Sequence, residues 1–194
     1  MTSLLQNAER LGGTRFLFGA PPVSEAKIEV IPYSPAWPRQ FESESVLLAA
    51  ALQPWLAGTI EHIGSTAVPG LWAKPVIDIM APVKSLAESR AAIPAAEALG
   101  YVYFPYKSEV MHWFCKPSSA RRTHHLHLVP VNSDLWRARL AFRDALRKDP
   151  RLAADYQALK LHLAALHPVD REAYTEAKAP FIQSALAALT TQFR

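Results

Sequence analysis

The stretch Glu61-His62-Ile63-Gly64-Ser65-Thr66-Ala67-Val68-Pro69-Gly70-Leu71, continued by Lys74-Pro75-Val76-Ile77-Asp78-Ile79, decides how this chain is read. A β-forming run over residues 59–63 turns at Gly64-Ser65-Thr66, and the chain becomes extended again over 75–83. The whole sequence has only seven glycines, and two of them fall here. Gly64, directly after a strand, permits a sharp turn with no side chain between backbone and ligand. Ser65 and Thr66 add hydroxyls and backbone N–H groups, which face an anion if a helix starts there. Asp78 stands among Val76, Ile77 and Ile79, so its carboxylate must be exposed at a strand end, paired, or bound to a cation. Ser65 has a plainer reading as the cap of the following turn.

Working outward, residues 27–31 alternate and are rich in β-branched side chains, which predicts a strand. Trp37, Phe41, Val46, Leu48, Leu52 and Trp55 recur at helical spacing and predict a helix over about 36–56, with Ser34 as its cap. A helix is expected over 86–99, stopped at Gly100. Strands are expected over 101–106, 110–116 and 124–131, the last two joined as a hairpin at Pro117-Ser118-Ser119. Ser133, Asp149 and Asp170 are good N-caps for helices over 134–148, 150–166 and 171–190, and Pro150 suits a first helical position. Residues 1–25 read as an N-terminal extension: 1–11 suit a short helix, then Gly12-Gly13, Gly19 and Pro21-Pro22 interrupt regular structure. The expected order is that extension, an α/β core over 26–131, and C-terminal helices over 132–194 packed on the core. The class is α+β, a mixed sheet flanked by helices.

Composition narrows the function. The chain has 194 residues, half of them hydrophobic and a fifth charged, which suits one folded domain with a sizeable core. No apolar run reaches the ~18 residues of a membrane span, so no membrane role is expected. The single cysteine, Cys115, removes a disulfide framework and a cysteine-built zinc knuckle, and reads as inert packing beside Trp113 and Phe114. The N-terminus has no basic start leading into an apolar core, so the cytoplasm is the expected compartment. The net charge of +4 is not that of a dedicated nucleic-acid binder, yet it suits an anionic small molecule where it is focused. One such focus is Lys116, Arg121 and Arg122, leading into His124, His125 and His127. A second, Arg137, Arg139, Arg143, Arg147 and Lys148 interleaved with Asp134, Asp144 and Asp149, reads as a solvated helix face.

His125 and His127 are two apart on a predicted strand and share a face, with His124 on the other. Together with Asp78, and with His62 or Glu61 as further donors, they make a nitrogen and carboxylate site. Such a site suits Zn²⁺, Mn²⁺ or Fe²⁺ better than Mg²⁺. The alternative is a pair of half-buried strand residues that make hydrogen bonds, or contact phosphate when protonated. Glu61 is expected in a salt bridge with Lys74 or Arg122. Lys74, at the edge of the loop, and Arg122, ahead of the histidines, are the cationic candidates for an anion.

A strand, a Gly-Ser turn and an aspartate on the next strand resemble the polymerase-β-like nucleotidyltransferases. The longer string from His62 to Leu71, with Ala73-Lys74-Pro75-Val76-Ile77-Asp78-Ile79, resembles the GrpB-like family, a branch of that superfamily. Arg122-Thr123-His124-His125-Leu126-His127-Leu128, Leu140-Ala141-Phe142-Arg143-Asp144, Tyr156 with Leu159-Lys160, and Tyr174 with Lys178 match the same pattern. The resemblance extends over residues 27–190. It implies a nucleotidyltransferase-like fold in which Gly64, Ser65 and Thr66, aided by Lys74 and Arg122, hold a nucleotide phosphate. Asp78 would be the catalytic acid and would hold a divalent metal, Mg²⁺, Mn²⁺ or Zn²⁺, with His125 and His127 beside it.

One departure bears on activity. In the nucleotidyltransferases this chain resembles, an active site usually has two acids with one residue between them on one strand face, and here the second position is Met80, a soft thioether that does not bind Mg²⁺. The strand expected to supply a third acid carries His125 and His127. Two functions remain open at this point: binding of a nucleotide or other phosphorylated small molecule, with nucleotidyl transfer on that site, or a non-catalytic binding or regulatory role. A histidine-based hydrolytic metal enzyme is a third reading.

Overall fold

Two parallel strands form the centre of the molecule. β2 (Ile77–Val83) lies beside β5 (Arg122–Pro130), so that Asp78 pairs with His125 and Met80 with His127. β1 (Glu61–Ile63) lies antiparallel on the far edge of β2, and β4 (His112–Pro117) and then β3 (Val102–Phe104) extend the sheet antiparallel beyond β5. The result is a mixed five-stranded sheet in the order β1-β2-β5-β4-β3. This computed structural model describes residues 27–191; the helix expected over 1–11 lies outside them.

Strand alternation sorts the side chains into two faces. Ile77, Ile79, Ala81, Val83, Leu126, Leu128 and Phe114 point to one side and are buried to 2 % exposure or less. They pack with Trp37, Leu48 and Leu52 of α1 (Ala36–Leu52) and with Ala96 of α3 (Ile93–Ala98). Each aliphatic side chain of this size contributes about 1.5–3 kcal/mol on full burial, so this layer holds the sheet together. Asp78, Met80, His125, His127 and Val129 point to the other side. α4 (Asp134–Lys148) covers part of that face through Trp136, which joins Ile63, Met80, Met111 and Val129 in a second apolar cluster. α5 (Pro150–Leu166), α6 (Arg171–Glu176) and α7 (Ala179–Thr191) complete the helical region.

The N-caps expected at Ser133, Asp149 and Asp170 are present, whereas Pro35, not the expected Ser34, stands at the N-cap of α1. Ser133 Oγ accepts from Trp136 N–H, Asp149 Oδ1 from Arg151 and Leu152, and Asp170 Oδ1 from Ala173. Three elements differ from expectation. Residues 27–31 are extended but form no strand: Ile31 bridges only Ala73, and Pro32, which lacks an N–H, ends the pairing. The helix expected over 86–99 is broken into α2 (Leu86–Ser89), a 3-10 turn (Arg90–Ala92) and α3. Pro94 has no N–H to give residue 90, and its ring collides with that carbonyl in a continuous helix. Pro180 divides the last expected helix into α6 and α7 for the same reason.

Candidate functional site

Gly64 sets the geometry of the site. It leaves β1 at φ +70°, and a Cβ added there would lie 3.0 Å from both Cβ and Cγ of Asp78 and against its Oδ2. The absence of a side chain therefore lets the loop close directly over the carboxylate. Ser65–Ala67 is a single 3-10 turn, whose exit N–H groups at Ala67 and Val68 bond back to Gly64 and Ser65 carbonyls. The full helix N-terminus expected to face an anion is therefore replaced by one turn, and positive charge reaches the site from side chains instead. Thr66 lines the cavity described below, but its hydroxyl donates to Val76 O and accepts from His62 Nε2.

Asp78 Oδ1 accepts from His125 Nδ1 at 2.9 Å and stands 3.8 Å from His127 Nε2. Each of the three residues offers a ligand atom within 4.8 Å of the others, so the group is able to hold a metal ion. Burial works to raise the Asp78 carboxyl, but the hydrogen bond from His125, with the nearby His127 ring adding to it, outweighs burial and holds the carboxyl well below the usual carboxylate range. Burial, reinforced by Arg139, lowers His127 to about 3, so its ring is neutral at pH 7. His125 Nε2 and His127 Nδ1 are buried without a hydrogen-bond partner.

Two further expected donors are elsewhere. His62 pairs with Ile79 and so lies on the opposite face of the sheet, stacked on Phe41 and bonded to Thr66. Burial first, with Arg147 and Arg143 adding to it, lowers its ring to about 4. Glu61 is bonded to Arg143 at 2.7 Å, where Lys74 or Arg122 was expected as its partner. Arg143 also reaches His62 O, and Arg147 donates twice to Ala67 O. The arginines of α4 are thus not all a solvated face: two of them clamp β1 and the Gly-Ser turn, and Arg139 lines the cavity. His124 and Lys116 lie on the α1 side, with Lys116 paired to Glu44 at 2.8 Å.

The cavity opens over Asp78 and measures about 570 Å³. Ser65, Lys74 and Arg122 line it, as expected, with Asp78, His125 and His127. Arg122 stacks over Trp113 with its guanidinium carbon 5.2 Å from the ring centre. Four further cations come from the helices and the β3–β4 connection: Lys107, Lys160, Arg171 and Lys178. Including Arg139, seven cationic side chains face only three carboxylates, Asp78, Glu172 and Glu176. Tyr174 sits between two ammonium groups, Lys74 at 5.2 Å and Lys178 at 4.3 Å from its ring centre. Lys160 is 2 % exposed, donates to Trp72 O and lies over the Tyr156 ring. Burial, then Lys178, lowers Lys160 to about 7; burial, then Lys74, lowers Lys178 to about 8.

Sequence reasoning missed the helical half of this wall as site residues. A signal was present in one case. Lys160 lies on the same stripe of α5 as buried Tyr156 and Leu163, and a lysine on the apolar stripe of a helix needs an inward partner.

A magnesium pair, as the acid-rich nucleotidyltransferases use, does not fit these residues. The donor set is one carboxylate and two imidazoles. Met80, at the position of a second acid, is fully buried against Ile63, Met111, Val129 and Trp136.

Fold and site together define an α+β protein with a histidine-containing, cation-walled cavity. The chain belongs to the GrpB family, whose model, described as GrpB protein, matches residues 27–188. The conserved protein GrpB from Enterococcus faecalis, solved by crystallography, is 34% identical and superposes with a TM-score of 0.76, covering 86% of this chain and 100% of that one. UPF0157 protein PA4798 of Pseudomonas aeruginosa is 40% identical over 158 residues, 78% of this chain and 63% of its own length. A weaker likeness, at TM-score 0.49 and 16% identity, covers 70% of this chain and 44% of the Cid1 poly(U) polymerase. The chain spans 63% and 46% of the length of the P. aeruginosa relative and of Bacillus subtilis YqkA. No described helix is long and apolar enough to cross a membrane.

Proposed function

We propose that the cavity binds a nucleotide or a closely related phosphorylated small molecule, with its phosphates against the cationic wall. The observation that carries this reading is seven lysine and arginine side chains converging on one 570 Å³ cavity with three carboxylates. Concentrating like charge around partly buried space costs folding free energy, and a polyanion offsets that cost. The lowered ammonium groups of Lys160 and Lys178 fit the same reading: they lack anionic partners strong enough to hold them fully charged. Ser65 adds a hydroxyl at the cavity edge, and Trp113, Tyr106 and Phe104 supply aromatic surface for a ring. Gly64 serves the site indirectly, by leaving room for the Asp78 carboxylate.

The buried Met80 favours binding without magnesium-dependent nucleotidyl transfer. A second hard oxygen is needed for the usual two-ion arrangement, and the side chain in its place packs in an apolar cluster. The test is a panel of nucleoside triphosphates and inorganic tripolyphosphate, titrated calorimetrically, with pyrophosphate release followed in parallel in Mg²⁺. The expected result is saturable binding that weakens as salt rises, with no pyrophosphate released. No binding of any member at low salt contradicts the proposal, and Mg²⁺-dependent pyrophosphate release contradicts its non-catalytic part.

A further inference from the structure

We infer that Arg139 makes the cavity selective for a purine nucleotide whose base carries two hydrogen-bond acceptors side by side, the oxygen on C6 and the ring nitrogen N7, as guanine and hypoxanthine do; this rests on the nucleotide reading of the cavity and extends it to the base.

The cavity spans the sheet from one edge toward the other, and its chemistry changes along the way. Ser65 follows β1 at one edge, and Lys74 and Lys178 meet around the Tyr174 ring. Phe104 and Trp113 belong to β3 and β4 at the other edge, with Asp78 and His125 on the strands between. Phe104 pairs with Trp113 and Trp113 with His127, so the three form one row on the cavity face of the sheet. The Trp113 ring centre lies 5.5 Å from that of Phe104 and 6.1 Å from that of Tyr106. With phosphates drawn to the lysines, this aromatic end is where a base finds surface to lie against.

Arg139 is the cation that α4 brings to the aromatic end. It stands one helical turn after Leu135, and both line the cavity. Its one hydrogen bond among the described residues runs from Nη2 to Met111 Sδ at 3.6 Å, and no carboxylate there forms an ion pair with it. A thioether is a weak acceptor, so a guanidinium with five donors finds almost no protein partner. Burial pushes the guanidinium down, with Asp78 and Tyr106 opposing the shift. Asp78 acts on Arg139 strongly enough that a second full negative charge beside it would be repelled. A neutral base edge, with partial charges only, meets no such penalty.

The planar fork chooses the base. Arginine bonds two acceptors at once, and the N7 and O6 edge of guanine offers that pair. Hypoxanthine has the same edge. Adenine sets an amino group beside N7, so one arginine N–H faces another donor and loses its bond. A pyrimidine has no N7.

The test titrates the full chain calorimetrically, in EDTA at low salt, with GTP, ITP, ATP, 7-deaza-GTP and tripolyphosphate. GTP and ITP should each bind at least about 10-fold more tightly than ATP. The 7-deaza analogue keeps O6 but lacks the N7 acceptor, and should bind at least about 5-fold more weakly than GTP. In Arg139→Met and Arg139→Gln the preference for GTP over ATP should shrink to no more than about 3-fold. Loss of one cation weakens all phosphate ligands alike, so the ratio of the two nucleotides separates base reading from charge. ATP bound as tightly as GTP, or a full GTP preference kept in folded Arg139→Met, overturns the inference. The wild-type ratio and the 7-deaza comparison need no variant and decide alone if neither variant folds. Tripolyphosphate binding with no preference among bases defeats this inference and leaves the phosphate reading standing, whereas no binding of any ligand defeats both.

Discussion

The two faces of β2 and β5 differ in almost everything except their backbone. On one, Ile77, Ile79, Leu126 and Leu128 pack against α1 and α3 with no room for solvent. On the other, one residue out of step, Asp78, His125 and His127 look into a cavity walled by lysine and arginine. Strand alternation alone makes this division, because a shift of one residue exchanges the faces. The apolar face can be rigid because it does nothing else. The polar face inherits that rigidity, which holds the ligand atoms of three ionisable side chains within 4.8 Å of one another.

The division can be tested from both sides. The largest effect is expected where polarity is forced into the wrong place. Met80 lies on the polar face but in its apolar corner, so Met80→Asp should destabilise by about 3–5 kcal/mol through an unpaired buried carboxylate. Mg²⁺ should not restore it, since the side chain is walled in by Ile63, Met111, Val129 and Trp136. Urea unfolding with and without Mg²⁺ checks this, and a magnesium-dependent recovery breaks the proposed division. Leu128→Ala, on the apolar face, should cost about 2–5 kcal/mol while leaving tripolyphosphate affinity unchanged at temperatures where the variant is folded.

Gly64→Ala should come next. Gly64 lies at φ +70° and ψ −172°, a region essentially restricted to glycine, so a Cβ there costs about 1–3 kcal/mol, and contact with Asp78 adds to it. Thermal unfolding should show the loss. A Gly64→Ala protein with wild-type stability would mean that the turn does not close over Asp78.

The smallest effect concerns pH. Lys160 is lowered to about 7 in the fold against an ordinary value near 10.5. Between those values the unfolded chain binds the extra proton, so wild-type stability contributed by this group rises as pH rises from about 7 to 10.5. Lys160→Met removes that dependence. Its stability relative to wild type should therefore be most favourable near pH 7 and decline toward pH 10, by a few degrees in Tm. Unfolding curves at the two pH values decide the sign, and an advantage that grows with pH contradicts the burial of a lowered ammonium.

Much of the sheet and most helix starts were legible in the sequence because their determinants are local. Ser133, Asp149 and Asp170 cap helices through atoms two or three residues away, and alternation over residues 77–83 needs no knowledge of the neighbour strand. The sharing of one strand face by His125 and His127 was readable for the same reason. Their meeting with Asp78 was expected from the residue types and the family resemblance, not from local pattern, since parallel register between β2 and β5 is set by everything that connects them. The cationic wall was the least legible part. Lys178, Arg171 and Arg139 occupy helix positions whose orientation depends on how whole helices dock. Arg143 and Arg147 look like surface charge until β1 and the Gly-Ser turn are placed beneath them. The missing strand at 27–31 shows the converse: alternation was present, but no continuous partner strand was available.

The claim that the polar face is a polyanion site is tested most directly by calorimetric titration of tripolyphosphate into wild type and a Lys74→Ala/Lys178→Ala double variant, both in EDTA at low salt. These two lysines flank the Tyr174 ring at the cavity wall. Affinity should fall by about 10–100-fold, as expected for two charge-assisted contacts of about 1.5–3 kcal/mol each that partly compensate one another, with Tm shifted by no more than a few degrees. A double variant that keeps wild-type Tm and binds tripolyphosphate as tightly as wild type would contradict the account.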